Sequence, residues 1–184
     1  MEPVFTVQYG EFAVADYLSK NIKDTSVFIP TSAQQKGIDL LLYQYSKGRN
    51  TTCTIQVKMS RTYYNSKKSN SGFPYHLWFN RFPIQDNADW YILVGIYAKH
   101  PKNHNAKAKS TSWDTIMLAF THDEMMQFMD NVRQKKDPSK MDKMFGFGFD
   151  DSKTIFQTRG CATQQDMTNY LIEKRLGDIQ KSYK

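Results

Sequence analysis

Cysteine is almost absent from this chain: Cys53 and Cys161 are the only two in 184 residues. Two isolated cysteines support neither a disulfide framework nor a zinc site. Cys53 falls in an apolar, alternating stretch and reads as a reduced core residue. No apolar run approaches the roughly 18 residues a membrane-spanning helix needs. Met1-Glu2-Pro3-Val4-Phe5 lacks the basic start and apolar stretch of a secretory signal. A soluble, intracellular (cytoplasmic) protein with no membrane partner is expected. Repeats and long low-complexity segments are missing as well. Gly146-Phe147-Gly148 has no Lys-Ser/Thr behind it at the right distance, so it is not a phosphate-binding loop of that kind. His100 and His104 stand in a loop without cysteines or a helix to present them, which argues against zinc.

What is present fits one domain spanning 1–184. The chain is 40% hydrophobic and 14% aromatic, enough for a real core. Its net charge of +7 and pI near 9.3 point to an anionic partner, of which nucleic acid is the commonest.

Periodicity organises the chain. Val14, Ala15, Leu18 and Ile22 recur at helical spacing, predicting an amphipathic helix over 10–22. Short strands are expected over 26–31 and 38–45, the second so apolar that it reads as covered on both faces. Residues 51–61 alternate. Cys53, Ile55, Val57 and Met59 point one way, and Thr54, Gln56, Lys58 and Ser60 the other. The turn-like residues 46–50 make the last two strands a hairpin. Residues 62–75 read as a mobile polar loop, 88–98 as a buried strand, 99–112 as a second basic loop and 115–120 as a strand. Thr121 to Glu124 is a capping box opening a helix whose inner stripe is Met125, Phe128, Met129 and Val132. A hairpin over 144–160 and a second capping box, Thr163 to Asp166, precede a C-terminal helix reaching about Ile179. The core is placed at about 8–132, with the C-terminal hairpin and helix over 144–181. The class is mixed α/β, without the regular alternation of a doubly wound sheet.

Four residues carry the chemistry. Asp39 opens an otherwise apolar strand, where a carboxylate costs several kcal/mol unless it is paired or binds a cation; the competing account is an Asp that caps a turn. Gln56 and Lys58 share a face, about 7 Å apart along their strand. If the two strands pair, a carboxylate, an amide oxygen and an ammonium group converge, and oxygen ligands suit Mg2+. Glu11 takes a place on the inner stripe of the first helix where an apolar residue belongs, and so reads as a further ligand or ligand orienter. A glutamate in a first turn also suits the helix dipole.

The order Glu11 on a helix, Gly37-Ile38-Asp39 opening a strand, and Gln56-Val57-Lys58 on the next resembles the PD-(D/E)XK nuclease superfamily. That group includes restriction endonucleases, archaeal-type Holliday junction resolvases and Mrr-like enzymes. The likeness covers roughly residues 8 to 61, with 88–98 as a later core strand. It implies a restriction endonuclease-like core: a central mixed sheet flanked by helices, ordered helix, three strands, helix, strand. It also implies Mg2+-dependent cleavage of phosphodiester bonds, with Mn2+ as a substitute. Asp39 would be the central metal ligand, joined by Glu11, Gln56 and the Val57 carbonyl, and Lys58 the catalytic lysine. The chain departs from the pattern in lacking a proline before Asp39 and in carrying Gln56 for the second acid, a Gln-x-Lys form that Mrr-like branches share.

Arg61, Lys67, Lys68 and Arg81 follow the proposed site among Tyr63, Tyr64 and Trp78, a mixture suited to contacting DNA and equally to an ordinary solvated face. The leading expectation is an endonuclease acting on duplex or junction DNA, as a homodimer where both strands are cut. The alternatives are a non-catalytic DNA-binding module that keeps the nuclease fold, and an unrelated α/β protein.

Overall fold

Lys47 and Gly48 both take positive φ, 51° and 78°. Two such residues in succession turn a chain back on itself with the twist that antiparallel strands need. Ser46 accordingly pairs with Arg49, and the flanking segments zip into the hairpin β2 (Leu40–Ser46) and β3 (Arg49–Tyr64). The computed structural model describes residues 4–30, 36–65, 72–98 and 113–184, with side chains from residue 9. The helix α1 (Val4–Asn21) precedes the short edge strand β1 (Ser26–Phe28), which pairs with β2.

β3 organises the molecule. Its first half pairs with β2, residues 55–61 pair in parallel with β5 (Trp90–Ala98), and residues 62–64 pair with β4 (Tyr75–Asn80). Sixteen residues make it about 53 Å long, enough to leave one half of the fold and enter the other. The first half is β1-β2-β3-β5-β6, with β6 at Trp113–Thr121. The second continues from β4 through β7 (Met144–Phe149) and β8 (Ile155–Arg159) to β9 (Gln165–Asp166). The sheet is mixed, since β3 and β5 run parallel and its other pairings are antiparallel.

Alternation along β5 and β6 divides the core in two. Trp90, Ile92, Val94, Met117 and Ala119 face α1 and α3 (Ile172–Lys181), joining Val14, Leu18, Leu40, Leu42, Cys53, Ile55 and Ile179. Tyr91, Leu93, Tyr97, Ile116, Leu118 and Phe120 face the other way. They meet α2 (His122–Asp130) and the inward residues of β4, β7 and β8. Helices thus lie against both faces. The expected capping box is present: Thr121 accepts from the Glu124 amide, and Glu124 from the Thr121 amide.

Four expectations need correction. The first concerns β2, which is covered on one face only: Leu40 and Leu42 are buried in the cluster with Val14 and Leu18 of α1, while Leu41 and Tyr43, pointing the other way, are half-exposed. Second, the stretch read as a loop over 62–75 is partly strand, since β3 runs on to Tyr64 and β4 begins at Tyr75. Third, the resemblance implies a helix between the third strand and the next, but among the described residues that stretch holds β4. There Tyr75, Leu77 and Phe79 alternate with His76, Trp78 and Asn80, a period of two that only a strand can bury. Fourth, Thr163 to Asp166 opens no helix. Gln165 and Asp166 pair with β8, a 3-10 turn follows at Thr168–Tyr170, and α3 starts only at Ile172.

Candidate functional site

Gly10 brings α1 down onto β3. A Cβ there would lie 3.0 Å from Met59 Cβ and 3.1 Å from its sulfur, so any larger residue would press Met59 back by a few tenths of an ångström. The next residue is Glu11, half-buried at the lip of the helix–sheet interface. One turn on, Val14 and then Leu18 are fully buried. The inner stripe therefore runs as the sequence predicts, with Glu11 at its start.

Gly37 shapes the second segment. Its φ of +91° is open to glycine, and an added Cβ would fall 2.6 Å from both Asn87 Oδ1 and Gln85 Cβ. Asn87 Nδ2 donates to the Lys36 carbonyl at 2.8 Å and ties the turn to the 85–87 segment. The chain then enters β2, whose register ends with Leu40 opposite Ile55. Asp39 lies just before the strand, beside Gln56 and Val57 where β2 runs out. Its amide donates to the Ile55 carbonyl at 2.9 Å, and its Oδ2 accepts from the Val57 amide at 2.7 Å. The N–H and C=O of one strand residue point to the same edge, so the Val57 carbonyl faces Asp39 as well.

Gln56 is buried at 5% exposure, and its Oε1 has no hydrogen-bond partner among the described residues. A buried, unpartnered carbonyl oxygen is costly. Lys58 lies on the same strand face with Nζ 5.4 Å from the centroid of Phe82, a cation–π contact that holds the ammonium in place. Burial pushes the Glu11 carboxyl above the usual glutamate range. The Asp39 charge pushes it the same way, and Lys58 draws it back. The charges of Asp39 and Lys58, on two other segments, therefore both act on Glu11.

The oxygen-bearing groups near this point are the Asp39 and Glu11 carboxylates, the Gln56 amide and the Val57 carbonyl, the ligand type that hard cations take. Among the described residues no group of three or more His, Cys, Asp or Glu is assembled to hold a metal.

The expected nucleic-acid contacts divide. Arg61 is exposed on β3, three residues beyond Lys58. Lys67 and Lys68 lie outside the described residues, as do His100, His104 and the 99–112 segment. Arg81 is engaged elsewhere: its Nη1 donates to the carbonyls of Met129 (2.8 Å) and Val132 (3.4 Å), capping the end of α2. One side chain escaped the sequence reading: Phe82 orders Lys58, and no periodicity marks it. Trp78, expected among the basic residues, stacks on Tyr63 with ring centroids 5.0 Å apart.

No helix among the described residues is long and apolar enough to cross a membrane. Compared with protein-family models, curated proteins and solved structures, the chain has no match.

Proposed function

We propose that the chain is a metal-dependent endodeoxyribonuclease with a restriction endonuclease-like core, acting at Glu11, Asp39, Gln56 and Lys58. The observation that carries this reading is that Asp39 is held against Val57, between Gln56 and Lys58 on β3, beside a buried Gln56 Oε1 that has no hydrogen-bond partner among the described residues. The charges of Asp39 and Lys58 also act on Glu11, from the helix. Packing alone gives no reason to gather two carboxylates beside a lysine at the frayed end of β2. The order of α1, three antiparallel strands and a parallel β5 supports the core, and β4 stands where that core has a helix.

Asp39, Glu11, Gln56 Oε1 and the Val57 carbonyl would hold Mg2+ or Mn2+. Bound there, the ion would polarise the scissile phosphate and make a water acidic enough to supply hydroxide. Lys58 offers its ammonium to the charge that grows on the phosphate oxygens in the transition state, and Phe82 limits where it can go. The Val57 amide fixes the orientation of Asp39. Gln56 in place of an acid leaves the donor set one negative charge short, which favours weaker metal binding.

Incubation of the full chain with duplex and four-way junction DNA, with Mg2+ or Mn2+, tests the reading. Asp39→Ala and Lys58→Met should abolish cleavage. Gln56→Glu should keep or raise it. Full cleavage by Asp39→Ala removes the assignment.

One observation favours a second reading, a DNA-binding module of the same fold that does not cut. The described residues gather only two carboxylates at the site, with no third acid, histidine or cysteine. Binding of duplex DNA with no cleavage under Mn2+, in wild type and Gln56→Glu alike, would select it.

A further inference from the structure

β4, β7 and β8 turn their large side chains inward: Tyr75, Leu77 and Phe79, then Phe145, Phe147 and Phe149, then Ile155. Their outer face follows another plan. After Met144, β7 contributes Gly146 and Gly148 to it, and an aromatic ring lies over each. A Cβ at Gly146 would overlap Trp78 Cδ1, and one at Gly148 would sit 2.7 Å from Phe73 Cδ2. Tyr63 stacks on Trp78 at 28° between planes, and Phe73 stacks on Phe156 at 28° with centroids 5.3 Å apart. Two stacked pairs thus lie side by side above a floor of glycine.

Covering a strand glycine explains the underside of Trp78. It does not explain why Tyr63 and Trp78, both in a folded sheet, remain 52% and 37% exposed with their rings in parallel. A half-exposed stacked pair on a rigid sheet, with the more exposed ring, Tyr63, outermost, is a surface that can extend its stack onto flat, unsaturated rings. Arg61 is exposed on the same outward side of β3 as Tyr63, two residues away. The chain carries a net charge of +7.

We propose that this outer face binds a single-stranded nucleic acid, its unpaired bases continuing the stack of the Tyr63–Trp78 pair and its phosphates meeting Arg61. A duplex buries its base faces and cannot use such a platform, whereas an unpaired strand offers one ring per nucleotide. The platform and the proposed cleavage site share one strand. Tyr63 stands five residues, about 17 Å, beyond Lys58 on β3 and on its opposite face, and the Ser60 hydroxyl between them donates to the Trp78 carbonyl. If the nuclease reading holds, the substrate is DNA with an unpaired segment that reaches round this strand near the cut, such as a flap, gap or junction. The platform itself does not depend on cleavage.

The test measures anisotropy of a labelled oligothymidylate and the same strand in duplex form, titrated with the full chain without divalent metal. The single strand should bind tighter than the duplex and quench tryptophan emission. A variant carrying Tyr63→Ala and Trp78→Leu should lose on the order of tenfold to a hundredfold in single-strand affinity. Trp113→Ala, at an exposed tryptophan on β6, should bind as wild type, and so should Asp39→Ala even where it no longer cuts. Circular dichroism should show the double variant folded. If it does not, Tyr63→Ala alone, at the more exposed ring, carries the test. Equal affinity for duplex and single strand, or wild-type affinity in the folded variant, overturns the proposal. A Trp78-dependent quench by a neutral oligosaccharide but not by the oligonucleotide overturns it too, in favour of a sugar platform.

Discussion

The carboxylate of Asp39 accepts a 2.7 Å hydrogen bond from the backbone amide of Val57, across the end of β2. One carboxylate thereby completes a strand pairing that the backbone abandons and is held facing the Val57 carbonyl. Stability and function separate at this residue. Asp39→Asn keeps an acceptor for the amide and should cost under about 1 kcal/mol, whereas Asp39→Ala strands the amide and should cost about 1–3 kcal/mol. Urea denaturation in metal-free buffer measures the difference, and both variants should lose cleavage.

Glu11 has a carboxyl pKa raised by burial and by Asp39, against the opposing pull of Lys58. A raised folded-state pKa means that the folded chain holds the proton more tightly than the unfolded chain. The stability this contributes is complete below the ordinary glutamate pKa of about 4.3 and is lost as pH rises through the raised value. Glu11→Gln escapes that loss. Its melting temperature in metal-free buffer should exceed that of wild type at neutral pH, and the two should converge below about pH 4. Added Mg2+ should then stabilise wild type more than Glu11→Gln. An equal response would remove Glu11 from the ligand set.

Asp89 behaves in the opposite sense. Burial works to raise its pKa, but hydrogen bonds from Lys184 Nζ (2.8 Å) and from the Thr54 amide and hydroxyl (both 2.9 Å) hold it below the usual aspartate range. Its contribution is present above the unfolded pKa and disappears as pH falls through the lowered folded value. Asp89→Asn should lower the melting temperature near neutral pH and flatten its decline between about pH 5 and about pH 2. An unchanged acid limb would contradict this.

Two glycines should answer oppositely to alanine. Gly146→Ala drives a Cβ into Trp78 Cδ1, with the Leu77 carbonyl also 2.8 Å away, and should cost about 1–3 kcal/mol. Gly177 lies inside α3 with nothing within 4 Å of an added Cβ. Gly177→Ala should stabilise by about 0.5–1 kcal/mol, because alanine loses less backbone freedom in a helix. Thermal denaturation of the pair distinguishes them.

The legible elements were those whose neighbours in sequence are their neighbours in space. The Lys47-Gly48 hairpin, the Thr121–Glu124 cap and the stripe Val14, Leu18, Ile22 all rest on contacts a few residues apart. The C-terminal box misled for the same reason. Thr163 to Asp166 has suitable cap residues, yet the backbone of Gln165 and Asp166 finds partners on β8, and strand pairing overrides local preference. β4 was hidden because its inward residues bury against β7 and β5, remote segments whose approach no local pattern announces.

By itself the sequence determined the composition of the candidate site: a glutamate on a helix stripe, an aspartate after a glycine, and a glutamine and lysine on one strand face. Side-chain chemistry and a period of 3.6 or 2 are local properties, so they can be read without coordinates. Only the tertiary structure decided which of these groups feel one another. It turned Arg81 from a candidate DNA contact into the cap of α2, and gave Lys58 an aromatic partner in Phe82. It also laid Trp78 and Phe73 over Gly146 and Gly148. Those outcomes depend on register between strands far apart in the chain, where a shift of one residue would exchange the inner and outer faces.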